Sequence, residues 1–214
     1  MSWKSFIKSH LDSLQSQLFT TLPAIVTDAS NLESEQTLSV RPTIDILHSD
    51  GQINECPEIY NVPVIFPSAG GGILSFPIQV GDTVQLQFSM RNLENWLEGD
   101  GGSVVENTMR SHDLSDAIAI VGLTTKANTL NPSPKDVVLK FKDNSITLFE
   151  DGNVEVVTKS KIEIKNEQEE LIALLSELIQ EMSISTVNTV YGISPLNNKP
   201  ALQAIKNRLD TMKK

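Results

Sequence analysis

The sequence has one cysteine, two tryptophans and three histidines in 214 residues, and each scarcity excludes a class of function. Cys56 has no partner for an intramolecular disulfide and no companions for a Cys-rich zinc site. It reads as a small buried hydrophobe in a reducing compartment. His10, His48 and His112 are dispersed, and none sits in HExxH or His-x-His spacing, so neither metal nor cofactor is expected. No run of eighteen apolar residues exists to span a bilayer as a helix. The first nineteen residues carry His10, Asp12 and Gln15 where a signal peptide needs an unbroken apolar core, so the chain is expected to stay in the cytoplasm where it is made. Cations are scarce too. Seventeen Lys and Arg against 27 Asp and Glu leave a net charge of −10, which repels phosphate backbones and argues against nucleic acid and polybasic membrane binding. Aromatics at 5% are too few for a base-stacking platform or an aromatic-lined sugar cleft.

The usual signatures of catalysis are also missing. Gly70-Gly71-Gly72 lacks the Gly-Lys-Ser/Thr ending of a phosphate loop and reads as a flexible loop between strands. No Gly-x-Ser-x-Gly elbow occurs. In the cluster Arg110 to Ala117, Asp113 and Asp116 suit the capping of a turn, and Arg110 suits pairing with a carboxylate from a neighbouring loop. A His112–Asp113 dyad would need an activated Ser or Cys, and none is signalled. No catalytic, cofactor or metal residue is assigned, and the chain is not expected to be an enzyme.

What is present divides into four stretches. In residues 1–22, Trp3, Phe6, Ile7, Leu11, Leu14 and Leu18 recur at helical steps, which predicts an amphipathic helix, packed on its own domain or docking a partner. Residues 23–125 hold short apolar runs between turns: Ala24–Thr27, Thr37–Val40, Pro42–Leu47, Ile59–Ile65, Ile73–Ile78, Thr83–Phe88 and Ala117–Val121. That spacing predicts a small closed β-barrel, with a long polar loop from Arg91 to Asp116 holding a helical turn near Leu93–Trp96.

Residues 126–168 contain an eight-residue repeat. Ile146, Val154 and Ile162 are spaced by eight, as are Leu148, Val156 and Ile164. Such short strands with one apolar face cannot bury it alone. A meander of hairpins is one arrangement; intertwined strands from three chains, whose shared core is these six residues, is the one favoured. Residues 169–214 read as two helices. Leu171, Leu175, Leu178 and Met182 form one seam, widened by Leu174 and Ile179. Leu202, Ile205, Leu209 and Met212 form the other, after Pro200. Together they predict a helical hairpin or cap that needs something to pack against.

Four motifs occur in order. Val62-Pro63-Val64-Ile65-Phe66-Pro67 precedes the glycine loop, then Phe76-Pro77-Ile78-Gln79-Val80-Gly81-Asp82, then Phe88 to Trp96, then Arg110 to Ala117. This string resembles the N-terminal domain of bacteriophage contractile-tail baseplate central spike proteins. The resemblance implies an oligonucleotide/oligosaccharide-binding (OB) barrel followed by a trimeric β-helix or prism, in a virion protein that docks on the tail hub and pierces the host outer membrane when the sheath contracts. It implies a homotrimer and a mechanical role. The sequence departs from the family at the tip, where an iron-holding His-x-His is common, because no histidine follows His112. Either the helical region caps the trimer or a separate tip protein does.

The alternatives are a nucleic-acid- or carbohydrate-binding OB module, disfavoured by charge and aromatics, and the spike of a tailocin or type VI-like device, which shares the same mechanics. A wall hydrolase would need an inserted domain, and Thr124–Lys135 is too short to hold one.

Overall fold

The computed structural model describes residues 3–4, 7–8, 11, 18–47, 51–105 and 108–212. The chain forms two compact units, Met1–Leu130 and Asn131–Lys214.

In the first unit, strands whose inward residues are apolar and whose outward residues are polar curl around one core. They are β1 (Thr21–Asp28), β2 (Thr37–Pro42), β5 (Ile59–Ile65), β8 (Thr83–Phe88) and β9 (Ala117–Val121). They close in the order β1-β2-β5-β9-β8, with β8 returning to β1. Only β5 and β9 run parallel, through Val64↔Ala119 and Ile65↔Ile120. This is an OB-like five-stranded barrel. Its narrow interior is filled by large side chains beside small ones on the neighbouring strand: Leu86 pairs with Ala119, and Phe88 with Ala117. Val26, Val40, Val62 and Val84 complete the buried centre.

Two small hairpins decorate the barrel, β3 (Ile46–Leu47) with β4 (Ile53–Asn54) and β6 (Ser68–Ala69) with β7 (Gly72–Ile73). The glycine triplet turns the second, with Gly70 and Gly71 at φ +57° and +85°, which a side chain would resist. The expected strand Ile73–Ile78 stops at Ile73, with one further cross-link from the Leu74 amide to the Pro67 carbonyl. The expected run Pro42–Leu47 is likewise split between β2 and β3. The helical turn lies at Glu94–Leu97 (α1). Of the expected N-terminal helix, Trp3, Lys4, Ile7, Lys8 and Leu11 are helical, whereas Phe6 and Leu14 fall outside the described residues, as do His10 and His48. Thr21 and Leu22 belong to β1, where alternation with Ala24 and Val26 takes over from the helical step.

The second unit begins with a three-stranded antiparallel meander, β10 (Val137–Phe141), β11 (Asn144–Leu148) and β12 (Val154–Val157). After an extended segment, Glu170 caps α2 (Leu171–Ile184) by accepting from the Ile172 and Ala173 amides. A hairpin of β13 (Thr186–Thr189) and β14 (Gly192–Pro195) follows, then α3 (Lys199–Met212). Pro200 sits in the first turn of α3, where no N–H is missed.

Candidate functional site

The residues that carry the family motifs fasten the long Arg91–Asp116 connection to the barrel wall. Asp116 is 3% exposed. Its Oδ1 accepts from the Leu93 amide at 3.0 Å, and the Arg110 Nε lies 3.4 Å from its Oδ2, so one carboxylate holds both ends of the loop. The Ser89 amide donates to the Asp116 carbonyl at 2.9 Å, tying the end of β8 to the start of β9. Asn92, also buried, caps the amide of Glu94 and donates to Thr108. Asp113 accepts from the amide and hydroxyl of Ser115, and these bonds hold its carboxyl below the usual carboxylate range. His112 is at φ +53°, and its Nδ1 lies 3.1 Å from the Phe19 carbonyl. His112 and Asp113 thus engage different partners. The Gly81-Asp82 motif is a docked turn: the Gly81 amide donates to Val26, the Val26 amide donates to the Asp82 carbonyl, and the Asp82 carboxylate accepts from Gln79.

Beside this network a cleft of about 630 Å³ opens between β2, β5 and α1. Glu35, Glu94, Glu98 and Asp116 line it, with Arg110 as the lone cation among its described residues. Arg110 already faces Asp116 and Glu94. Glu58 accepts from Thr27 and from Tyr60, which lines the cleft, and these bonds pull its carboxyl below the ordinary value. Cys56 is buried, and desolvation pushes its thiol up, away from the reactive thiolate. Among the described residues, no three His, Cys, Asp or Glu side chains converge as a metal site would require.

The second unit offers a different kind of surface. The register aligns Val137–Leu148–Val154 in one row and Leu139–Ile146–Val156 in the next. Directly paired residues share a face, so six aliphatic side chains, with Phe141 beside them, cover one side of the meander. They remain 43 to 67% exposed. The other side carries Thr147, Glu155, Lys140 and Ser145 among two valines. Ile146, Leu148, Val154 and Val156 of the expected shaft core are thereby brought together. Ile162 and Ile164 are not: both lie past β12 in the extended segment, where Ile162 donates its amide to Met212 and Ile164 accepts from Leu171.

The helices pair on a stripe the sequence pattern had not singled out. Ile172, Ser176 and Ser183 are the buried residues of α2, and the Ser176 hydroxyl donates to Asp210 on α3 at 2.6 Å. The Leu171, Leu175, Leu178 and Met182 seam is rotated from that stripe by roughly 100° and stays exposed, with Leu174 beside it. On α3, Leu202 and Leu209 are half-buried, while Ile205 and Met212 are exposed. The α2–α3 contact therefore runs along the Ile172–Ser176 side of α2 and not along the leucine seam.

The β13–β14 hairpin lies between the two expected helices, where the sequence pattern predicts no strand. Its signal was the β-branched run Thr186-Val187-Asn188-Thr189-Val190.

No curated protein matches the chain. Residues 22–122, from the second residue of β1 to just past β9, match the family model described as the phage protein Gp138 N-terminal domain. The matched span is the barrel with its fastened loop, so the motifs of that family here serve to close and brace a fold. Over residues 22–122, just under half of its length, the chain is similar to the phage Gp138 N-terminal domain family, and that region is an OB-like barrel.

Proposed function

We propose that this chain is the central spike of a contractile-tail baseplate, a homotrimer that docks on the tail hub through its barrel unit and pierces the host outer membrane. The observation that carries the reading is the bare apolar face of the β10–β12 meander. Each of its side chains would gain roughly 1 kcal/mol on losing its exposed half, since full burial of such residues is worth about 1.5–3 kcal/mol. Three copies wrapped about an axis cover that face and the open edges of β10 and β12 at once. The exposed leucine seam of α2 extends the same need along the second unit. The role is mechanical and non-catalytic: the motif residues are spent on closing and bracing the barrel. The acidic cleft on the barrel wall disfavours a phosphate backbone there and supports the absence of a nucleic-acid partner.

The test is the solution mass by light scattering after size exclusion. Three times the 23.5 kDa chain mass supports the spike, and a monodisperse monomer overturns it.

A further inference from the structure

We infer that the β13–β14 hairpin is a lipid-contacting tip, with Val190 and Tyr191 as the residues that enter the membrane interface. The inference rests on the spike reading and assigns its membrane contact to a specific segment.

The hairpin's place in the second unit comes first. Ile162 donates to Met212 at the end of α3, and Leu171 at the start of α2 donates to Ile164. Those two helix ends are therefore held together by the segment that leaves the meander. The helices run antiparallel from there for fourteen residues each. At 1.5 Å per residue, that carries the hairpin about 21 Å beyond the tethered end. The hairpin is the far end of the helix pair, and in a trimer the threefold axis would present three of them.

Its chemistry comes second. Val190 is 99% exposed and Tyr191 102% exposed, and these two residues form the turn between Thr189 and Gly192. Ile193 and Val187 beside them are exposed as well. From Met182 to Asn198 the chain carries no charged residue, although Glu181 and Lys199 stand immediately outside. The hairpin itself offers a protein partner no charge to pair with. A surface entering a lipid interface instead avoids charge, whose transfer toward hydrocarbon is costly. An aliphatic residue beside a tyrosine suits the boundary, because the tyrosine ring enters while its hydroxyl stays wet. The ladder of four residue pairs from Thr186↔Pro195 to Thr189↔Gly192 satisfies part of the hairpin backbone, so only the turn needs to enter.

The experiment is flotation of the full chain with phosphatidylcholine vesicles, comparing wild type, Val190→Asp/Tyr191→Asp and Tyr191→Phe, with the solution mass of each measured in parallel. The zwitterionic lipid removes simple attraction to a charged surface. The expected result is lipid-bound wild type at both low and high salt, at least tenfold weaker binding of the Asp pair, and binding of the Phe variant retained. Three outcomes overturn the inference: no flotation of a wild-type trimer, equal flotation of the Asp pair, or binding that disappears in high salt. The first of these leaves the spike reading standing and points to a separate tip protein on the hairpin. A monomeric wild type overturns the spike reading instead, and is read from the mass rather than from the vesicles.

Discussion

The two units of this chain solve the burial problem in opposite ways. In the barrel, every inward position of β1, β2, β5, β8 and β9 finds cover within the chain. In the second unit, Ile172 is the one buried hydrophobic among the described residues, and the aliphatic faces of the meander and of α2 stay open. Strand closure makes the difference. A five-stranded sheet that meets itself has an inside, whereas a three-stranded meander has two outsides. The barrel buries its faces within one copy; in the proposed trimer, other copies would complete the core of the second unit.

The sharpest way to break this contrast is to charge the open face. Ile146→Asp with Val156→Asp, a directly paired couple on β11 and β12, is expected to convert trimer to monomer, seen as a threefold fall in scattering mass with the barrel still folded. A persisting trimer would remove the meander face from the interface. Next in size is a matched pair of truncations. Leu86→Ala, at the barrel centre, is expected to cost about 3 kcal/mol in urea unfolding at any protein concentration. Leu148→Ala, at an exposed position, is expected to cost a comparable amount only in the assembled protein, with a midpoint that moves with concentration. Concentration-independent loss at Leu148 would erase the distinction between the units.

A smaller effect tests how the barrel braces its own loop. Arg110→Ala leaves the buried Asp116 carboxylate without its cation, and is expected to lower stability by about 2 kcal/mol without changing the scattering mass. The smallest concerns Asp113, the cap of the turn before β9. Asp113→Ala is expected to cost about 1 kcal/mol at neutral pH. The Ser115 amide and hydroxyl lower the folded carboxyl's pKa, so its contribution is present above the unfolded value and is lost as pH falls through the folded one. Stability curves of wild type and variant should converge in acid; a gap that persists there would make the effect one of shape rather than charge.

These contrasts also explain what could be read in the sequence. The barrel was legible because its strands bury their own alternate residues, so the period of Thr83–Phe88 or Thr37–Val40 reports a local fact. The Arg110–Ala117 cluster was legible as capping and pairing for the same reason. In the second unit the pattern marks apolar faces that the single chain leaves open. Leu171, Leu175, Leu178 and Met182 repeat more clearly than Ile172, Ser176 and Ser183, yet the weaker stripe faces α3. Periodicity marks an apolar face without saying which chain covers it. The eight-residue spacing likewise carried on to Ile162 and Ile164 after the strands had ended, where the chain bonds to the helix ends at Met212 and Leu171 instead of to β12. The hairpin escaped notice because its outward valines and tyrosine have no alternation with a buried side.

The parallel pairing of Val64 with Ala119 has a consequence for the order of events during synthesis. It joins residues far apart in the chain, and such contacts form slowly. Yet β9 is made before any strand or helix of the second unit. A chain emerging from its N-terminal side can therefore make its long-range barrel pairings before the apolar faces of the second unit exist. Copies would then meet as closed barrels trailing unfinished segments, and the risk of tangling between half-made barrels falls accordingly.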